Sequence, residues 1–514
     1  MYLTFDVGTT SVKTALFDTR GKMLAKAIQN YSLDTPQVDW YEVEPEVYRQ
    51  AVHRGFQETI SRSGVDPKRI VSVCGCSQGE TIVFLDKEDR SVRPAIVWID
   101  NRAREETEEL KARISTEEFH RTTGCVEIEP SWSVLKIAWL KKHEPDNFRK
   151  IDKIMLVEDY IVYLLTGSYL STPTLMHSTG LFDIQARDYW AKTVAPLGIE
   201  DRLPRIVEVG SVVGPIKSAL AEELGLSRKT VVVKGAMDQT LSAVGAGNIH
   251  AGVVTETTGT ALAIGVTADS VETIHANSLA HQPHVIPGKY LILPYAQTSG
   301  VLYKWFRDVF AAAEIRAAGG LEEAYEELNR LAATAPAGCD GLVLLPFFAG
   351  AYIPENDMYA KGVWYGITLK HRKGHFARSI QESVGFMLRR ILELIRAADI
   401  EIEEVRSMGG AARSDLWLQI KADICGLSMV RMLEEETSTL GCAILSAVAA
   451  TDYGSIEEAV AAMVKIGRSF APNRECRSFY DRRFELYGEL YQTLKPLFRK
   501  YQCKKEKRAT AGES

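Results

Sequence analysis

The chain opens with LTFDVGTTSVKTALFD, residues Leu3 to Asp18, and this stretch decides the fold. It predicts two β-branched, apolar strands joined by a turn at Gly8-Thr9-Thr10. Asp6 ends the first strand, where a carboxylate needs a cation or hydrogen bonds to offset its burial. The turn offers a glycine for close approach, hydroxyls and exposed amides, which suit a polyphosphate and its hydrated metal. An ordinary hairpin with a capping Asp fits the same residues equally well.

Length and composition indicate an ordinary globular protein of two domains. A chain of 514 residues exceeds what one core usually supports. Its 46% hydrophobic and 25% charged residues are typical of soluble proteins, and a net charge of −6 argues against a nucleic-acid partner. No signal-peptide pattern and no membrane-spanning apolar run is seen, and the eight scattered cysteines suit free thiols. We therefore expect a cytoplasmic protein without membrane contact.

Strand-like and helical segments alternate along the chain. The β-branched runs Arg69–Cys74, Thr81–Leu85 and Thr230–Lys234 predict strands. Apolar residues at helical spacing predict helices over Pro45–Ser63 and Ser133–Lys142. This mixture favours an α/β fold over an all-β fold or a helix bundle.

The opening pattern returns near residue 250. Gly252–Val266 again has a strand, a Thr/Gly turn and a strand, which predicts two related domains facing a shared cleft. We place the boundary at Gly245-Ala-Gly247, so that the domains cover 1–247 and 248–503. The charged and small residues of 504–514 predict a flexible tail.

Phosphates, if they are bound, must be held by the Thr/Gly hairpins. No Walker A loop and no convincing dinucleotide fingerprint is present. Asp238 follows a predicted strand at the start of a helix, where it serves either as the helix cap or as a general base, and the local sequence favours the cap. The Gly409-Gly410 turn precedes a helix with Ser414 as its predicted N-cap; it suits a ligand, but by itself it favours a structural turn.

Taken in order, the segments resemble the FGGY carbohydrate kinases of the actin-like, sugar-kinase and heat-shock ATPase superfamily. The similarity covers nearly the whole chain. It rests on Asp6–Lys13, Arg93–Arg102, Asp159-Tyr160 with Leu165–Gly167, Lys234–Gln239, Thr257–Thr260, Gly341–Thr368, and the Gly409-Gly410 turn with Glu436 and Leu440-Gly441 at the adenosine end. The resemblance implies an α/β fold of two related RNase H-like (actin-like ATPase) domains flanking a central catalytic cleft. It also implies transfer of the γ-phosphoryl group of ATP to a small sugar or polyol.

The resemblance assigns roles residue by residue. Asp238 becomes the catalytic base, which reverses the local preference for a cap. Asp6 and Asp238 are expected to hold Mg²⁺. The substrate is expected to contact Glu80, Trp98, Asp238 and Gln239. The nucleotide is expected to contact Gly8, Thr9, Thr10, Ser11, Lys13, Gly259, Thr260, Gly300, Gly409, Gly410 and Ser414, and Lys304 and Trp305 follow Gly300 in the same predicted helix.

The substrate turn, Ser77-Gln78-Gly79-Glu80-Thr81, departs from the family's patterns. Xylulose kinases commonly show Met-His-Gly and glycerol kinases Gln-Arg-Glu-Thr. Gly79 replaces the Arg of the glycerol pattern, which predicts extra space and a ketose such as a pentulose. Glycerol or a tetritol is the alternative, because Glu80 and Gln239 suit it. Trp98 either contacts the sugar or packs in the core. A non-catalytic sugar- or nucleotide-binding regulator is the alternative of another class, and a homodimer is the default assembly.

Overall fold

The computed structural model describes residues 1–271, 279–351 and 353–510, with only the helical backbone given for 501–510. Contacts divide the chain into two compact units. Unit 1 comprises Met1–His250, Thr267–Ile292 and Glu436–Val464; unit 2 comprises Ala251–Val266, Leu293–Glu435 and Lys465–Ser514. The sequence-based boundary at residue 247 stays a prediction. The last helix continues to Thr510, while 511–514 lie outside the described residues, so the flexibility of the tail also stays a prediction.

Unit 1 contains sixteen strands and twelve helices within the described ranges. Its strands are β1 Tyr2–Val7, β2 Ser11–Phe17, β3 Met23–Asn30, β4 Glu42–Val43, β5 Ser72–Ser77, β6 Ile82–Leu85, β7 Ala95–Ile96, β8 Lys153–Leu156, β9 Leu170–Ser171, β10 Phe182–Asp183, β11 Asp188–Tyr189, β12 Arg205–Ile206, β13 Val212–Pro215, β14 Val231–Met237, β17 His281–Pro283 and β18 Tyr290–Ile292. Its helices are α1 Pro45–Ser63, α2 Arg104–Lys111, α3 Thr116–Thr123, α4 Ser133–His143, α5 Pro145–Lys150, α6 Val157–Thr166, α7 Pro173–Met176, α8 Ala191–Val194, α9 Ser218–Glu223, α10 Asp238–Gly245, α16 Thr437–Ala449 and α17 Ile456–Met463.

The remaining elements belong to unit 2. Its strands are β15 Gly252–Thr258, β16 Leu262–Ala268, β19 Tyr295–Ala296, β20 Val343–Leu345, β21 Val363–Tyr365, β22 Ile402–Met408, β23 Ser428–Met432 and β24 Ile466–Phe470. Its helices are α11 Gly300–Phe310, α12 Ala312–Ala318, α13 Glu323–Thr334, α14 Lys373–Ala397, α15 Asp415–Cys425 and α18 Arg477–Thr510. The predicted helices and strands of the sequence analysis are confirmed to within a few residues.

The central sheet of unit 1 runs in the order β13-β14-β5-β1-β2-β3. β1 and β2 form the predicted antiparallel hairpin, while β5 and β14 lie parallel to β1 on its other side. Helix α1 covers β2 and β3, and buries Tyr48, Val52 and Phe56 against the sheet. β5 is buried along its whole length, as is expected of a parallel strand in the middle of such a sheet.

The sheet of unit 2 repeats this topology. β15 and β16 form the second predicted hairpin, and β22 and β23 continue the sheet in parallel beside β15. Each unit therefore begins with an antiparallel hairpin and extends from its first strand into two parallel strands. This confirms the predicted pair of related α/β domains.

Two further findings concern the cysteines and the hydropathy of the helices. The seven cysteines whose side chains are described are free thiols, which confirms the prediction for those positions. Among the described residues, no helix combines the length and the hydropathy required to cross a bilayer.

Candidate active site

The first hairpin places Asp6 and Lys13 side by side. They are direct cross-strand partners between β1 and β2, so their side chains leave the same face of the hairpin. Burial raises the pKa of Asp6, while Ser438 and Lys13 oppose the rise. The Ser438 hydroxyl donates to Oδ2 of Asp6 at 2.7 Å, whereas Oδ1 is buried and accepts no hydrogen bond from the described residues. An orphaned carboxylate oxygen beside a lysine suits a bound cation and phosphate.

The turn between these strands is short and exposes its polar groups. Gly8 N–H donates to the Ser11 carbonyl at 2.9 Å, which closes the turn. Thr9 and Ser11 are half-buried and Thr10 is exposed, so their hydroxyls and amides lie at the surface of unit 1. The sequence-predicted phosphate loop is therefore formed, and its role stays a prediction.

Asp238 is the first residue of α10 rather than its cap. The N-cap is Met237, and no side chain caps the helix. The cap role that the local sequence alone favoured for Asp238 is therefore wrong, because the helix begins one residue earlier than that capping pattern requires. Oδ1 of Asp238 instead accepts from the Gln239 amide at 2.6 Å, and the Gln239 side chain is exposed. Burial and then the charge of Asp6 raise the pKa of Asp238 to about 8.

A buried ion cluster holds the strand that leads to Asp238. Lys234, on β14, contacts both Glu158 and Asp159, and its Nζ lies 2.6 Å from Oδ1 of Asp159. Glu158 also accepts from the Gly235 amide at 3.0 Å. A Cβ on Gly235 would lie 1.6 Å from the Gly75 carbonyl oxygen, so only glycine fits this shift in strand register. No local pattern in the sequence predicts this cluster, because its members lie in distant segments of the chain.

The turn after β5 places Glu80 beside the same region. Glu80 is 8% exposed and has a φ of 52°, an uncommon backbone conformation for a non-glycine residue. Burial raises the pKa of its carboxyl, while Ser178 and Lys136 oppose the rise. The charge of Glu80 is among the causes of the raised pKa of Asp238.

The expected space beside Gly79 is not there. A Cβ on Gly79 would lie 3.0 Å from Oγ of Ser178 and 3.1 Å from Cε of Met237. These two side chains occupy the direction in which an arginine would leave the backbone. The prediction that Gly79 opens the turn is therefore wrong, and the sequence could not show it because both neighbours come from distant segments.

Trp98 is not a core residue. It is 39% exposed, and its Nε1–H donates to the Thr9 hydroxyl at 2.9 Å. The indole thus joins the Arg93–Arg102 segment to the turn of the first hairpin. The buried Lys136 holds this segment from behind, by donating to the carbonyls of Val97 and Trp98 at 2.9 and 3.2 Å.

Lys136 gives stability a specific pH dependence. Burial lowers its pKa to about 7, although Glu80 and Asp100 oppose the shift. The unfolded chain, with an ordinary lysine pKa of about 10.4, binds more protons between these values, so the contribution of Lys136 to stability rises from pH 7 to pH 10. We expect the wild-type unfolding free energy, relative to that of Lys136→Met, to increase by roughly 4 kcal/mol over this interval.

Chemical denaturation at several pH values measures this difference. Lys141→Met is the matched control, because exposed Lys141 lies on the same helix and also donates to two carbonyls, at 3.0 and 2.9 Å. A difference for Lys136→Met that does not change with pH would contradict the burial of a titrating ammonium.

Unit 2 contains a cavity of about 510 Å³ at the end of its own hairpin. Gly259, Thr260, Gly300, Gly410 and Ser414 line it, as the nucleotide prediction requires. Lys304, on α11 behind Gly300, also lines it, whereas Trp305 packs against Trp364 and Phe348. The volume lies in the range of small-molecule sites.

Close backbone packing explains the glycines around this cavity. A Cβ on Gly300 would lie 2.4 Å from the Gly259 carbonyl oxygen, so α11 begins directly against the turn that is predicted to be the second phosphate loop. Gly409, the first residue of the predicted Gly409-Gly410 turn, has a φ of 76°, a conformation that favours glycine. Ser414 caps α15 by accepting from the Trp417 amide at 3.3 Å, as predicted.

Aromatic rings form one wall of the cavity. Tyr303 stacks on Tyr325 with centroids 6.0 Å apart and lies against Trp417 at 5.1 Å. Asn329 lies beside them, and its Oδ1 accepts from the Tyr303 hydroxyl at 3.1 Å and from Gln381 at 2.8 Å. The sequence does not predict this aromatic wall, because aromatic residues at helical spacing usually indicate only core packing.

A second buried ion pair supports the turn of the hairpin of unit 2. Nζ of Lys421, on α15, lies 2.7 Å from both Oε1 of Glu256 and the Thr258 hydroxyl. All three residues are buried. The pair fixes the end of β15 to the helix whose cap lines the cavity.

The chain is thus a protein of two α/β units whose sheets each begin with a hairpin. One hairpin carries acidic and lysine side chains, and a cavity of the size of a nucleotide lies beside the other. Model domains of the FGGY family of carbohydrate kinases match residues 1–245, as the N-terminal domain, and 251–450, as the C-terminal domain. The chain belongs to the FGGY family of carbohydrate kinases, and it is an ATP-dependent sugar kinase with the actin-like ATPase fold.

Known proteins resemble the chain over almost its full length. A xylulose kinase of Staphylococcus epidermidis is 29% identical over 497 residues, which cover 96% of this chain and 97% of the relative. A gluconokinase of Bacillus subtilis is 28% identical and covers 96% and 94%, respectively. The crystal structure of ligand-bound xylulose kinase from Lactobacillus acidophilus has a TM-score of 0.87, with 26% identity and coverage of 98% and 100%.

Proposed function

We propose that this kinase phosphorylates a ketose such as a pentulose, with Asp238 as the general base. The observation that carries the proposal is the placement of Asp238 at the start of α10, where burial and Asp6 raise its pKa to about 8. Once ionised, a carboxylate with a raised pKa accepts a proton from a hydroxyl more readily than an ordinary aspartate does. Glu80, whose charge contributes to that pKa, supplies a second carboxyl for the sugar hydroxyls.

In the proposed reaction, catalysis comes from the positioning of the reactants and does not require a strongly activated nucleophile. Asp238 accepts the proton of the sugar hydroxyl while the hydroxyl oxygen forms a bond to the γ-phosphorus of ATP. The bond from that phosphorus to the bridging oxygen breaks, and ADP leaves with the electron pair. Catalysis of this kind depends mainly on alignment and on neutralised charge.

Asp6 and Asp238 fit a magnesium site. Oδ1 of Asp6 is a buried acceptor that no described residue satisfies, and Mg²⁺ prefers oxygen ligands and retained waters. When bound, the ion neutralises charge on the phosphates. Lys13 and the turn residues Gly8 to Ser11 are assigned to the outer phosphates.

The cavity of unit 2 is assigned to the nucleotide. Its aromatic wall includes Tyr325, and the guanidinium of Arg307 lies over that ring, 4.6 Å from its centroid. Gly259 and Thr260 present exposed backbone for a phosphate, and Gly300, Gly409, Gly410 and Ser414 shape the surrounding turns.

Two observations favour a neutral ketose. Several relatives that cover 96–97% of the chain are named xylulose kinases, with 27–29% identity. Glu80 and Asp238 also place two acidic groups in one region, and above the raised pKa of Asp238 their charges disfavour the carboxylate of a sugar acid such as gluconate. Glycerol or a tetritol remains the alternative, because Glu80 is retained and the space beside Gly79 is filled. The family assignment supports an enzyme rather than a non-catalytic regulator; cytoplasmic location and a homodimer stay predictions.

Glu80→Gln tests the substrate assignment. Because the amide keeps the shape but loses the charge, we expect KM for the ketose to rise about tenfold, the cost of one charged hydrogen bond, while KM for ATP stays unchanged. Steady-state kinetics with the ketose and with gluconate measure both effects, and discrimination against gluconate should weaken. Glu88→Gln is an exposed control nearby. Unchanged ketose kinetics in Glu80→Gln would remove Glu80 from the sugar site.

A further inference from the structure

Glu436 contacts the lysine that is assigned to the phosphates. Its Oε2 lies 2.8 Å from Nζ of Lys13, and its Oε1 lies 3.3 Å from Nζ of Lys26. The Glu436 side chain is 12% exposed, whereas the two lysines are 40% and 47% exposed. Lys13 lowers the pKa of Glu436, which keeps this carboxylate ionised. The resemblance placed Glu436 at the adenosine end, but the structure places it in unit 1 beside the first hairpin.

The segment that carries Glu436 also contacts Asp6 and α10. Ser438, in the first turn of α16, donates to Asp6, and the hydroxyls of Thr437 and Ser242 lie 2.7 Å apart. Helices α10 and α16 cross closely: a Cβ on Gly245 would lie 1.9 Å from the Thr437 carbonyl oxygen, and a Cβ on Gly441 would lie 2.1 Å from that of Leu241. The start of α16 is therefore held rigidly against the helix that begins with Asp238.

We propose that Glu436 is a positioning residue that holds the Lys13 ammonium in place for the outer phosphates of ATP. The inference rests on the proposed role of Lys13. An ammonium has three donors, so one hydrogen bond to Glu436 leaves further N–H groups for phosphate oxygens. A rigid carboxylate reduces the freedom of a long, half-exposed side chain before ATP arrives, and such preorganisation contributes to catalysis.

The local charge balance predicts a distinctive kinetic signature. Lys13 and Lys26 offset Glu436 and Asp6, so loss of the Glu436 charge leaves a surplus of positive charge near the phosphates. That surplus favours binding of ATP, while the untethered Lys13 aligns less well in the transition state. We therefore expect Glu436→Gln to lower kcat about tenfold or more without raising KM or Kd for ATP.

A double-mutant cycle distinguishes positioning from a general structural role. The variants are Glu436→Gln, Lys13→Met and both together, with Lys26→Met as the control that removes only the other ion pair of Glu436. If Glu436 acts through Lys13, the double variant has the kcat of Lys13→Met alone. Calorimetric Kd for ATP and the thermal midpoint complete the measurement. Lys26→Met should change kcat by less than about twofold, as a surface ion pair does.

Each outcome bears on one of the two assignments. Normal activity in Lys13→Met would overturn the proposed phosphate role of Lys13. A defective Lys13→Met combined with multiplicative effects in the double variant would overturn the inference about Glu436 and leave the proposed function standing. A weakened Kd for ATP in Glu436→Gln, or a loss of kcat matched by Lys26→Met, would also overturn it.

Discussion

Replacing Asp238 by Asn is expected to lower kcat about 10³- to 10⁴-fold while ATP still binds. The amide occupies the same volume at the start of α10, but it cannot accept the hydroxyl proton, and general-base catalysis contributes up to about 10⁴-fold. Burial and the charge of Asp6 raise the pKa of Asp238 to about 8, which strengthens the wild-type carboxylate as a base once it is ionised. Coupled ADP release and calorimetric ATP binding measure the two quantities.

Asp201→Asn is the matched control for this prediction. Asp201 is exposed and lies in a short 3₁₀ turn of the same unit, so the same chemical change there should leave kcat unchanged. Turnover of Asp238→Asn within about tenfold of wild type would contradict the assignment of the base.

Gly300→Ala is expected to produce the second large loss, and to act through the nucleotide. The new methyl would lie 2.4 Å from the Gly259 carbonyl oxygen, so the second phosphate loop or the start of α11 must move. We expect KM for ATP to rise at least about tenfold, because displacements of about 1 Å at a reacting site cost up to about 10²-fold. KM for the sugar should change little, and overpacking should lower the unfolding free energy by about 1–3 kcal/mol.

Gly488→Ala separates this effect from a general sensitivity to alanine. A Cβ on Gly488, in helix α18, meets no atom within 4 Å. That variant should keep full activity and gain up to about 1 kcal/mol of stability, because alanine favours a helix over glycine. A Gly300→Ala enzyme with wild-type KM for ATP would contradict the placement of the nucleotide beside Gly259.

Local patterns in the sequence are sufficient to predict the fold. β-branched strands around Gly8 and around Gly259 specify two hairpins without any distant information, and helix α1 has the predicted bounds Pro45–Ser63. Ser414 was identifiable as a cap because capping depends on residues within one turn. The repeated hairpin then fixed the number of domains.

The site was only partly accessible from the sequence. The predicted Asp6, Lys13, Glu80 and Asp238 occur in one unit, and the structure shows the influence of the others on the pKa of Asp238. Their environment depends on contacts over long separations, which no local pattern encodes. Glu436 lies 423 residues from Lys13, and Lys421 lies 165 residues from Glu256.

The space beside Gly79 is a second case in which distant residues decide the local structure. A missing side chain suggests a gap, but Ser178 and Met237 fill it from other segments. Close packing is the rule in protein interiors, so the absence of one side chain rarely leaves a void. The size of the substrate must therefore be measured rather than inferred from that residue.

The most direct test of the account is ADP release by the wild-type enzyme with Mg-ATP across D-xylulose, D-ribulose, glycerol, erythritol and gluconate. The account predicts that a ketopentose gives the highest kcat/KM and that gluconate is a poor acceptor. A clear preference for gluconate would contradict the electrostatic argument from Glu80 and Asp238. A preference for glycerol or erythritol would replace the ketose with a polyol as the proposed substrate. If none of the acceptors in the panel led to ADP release, the proposed substrate class would be contradicted.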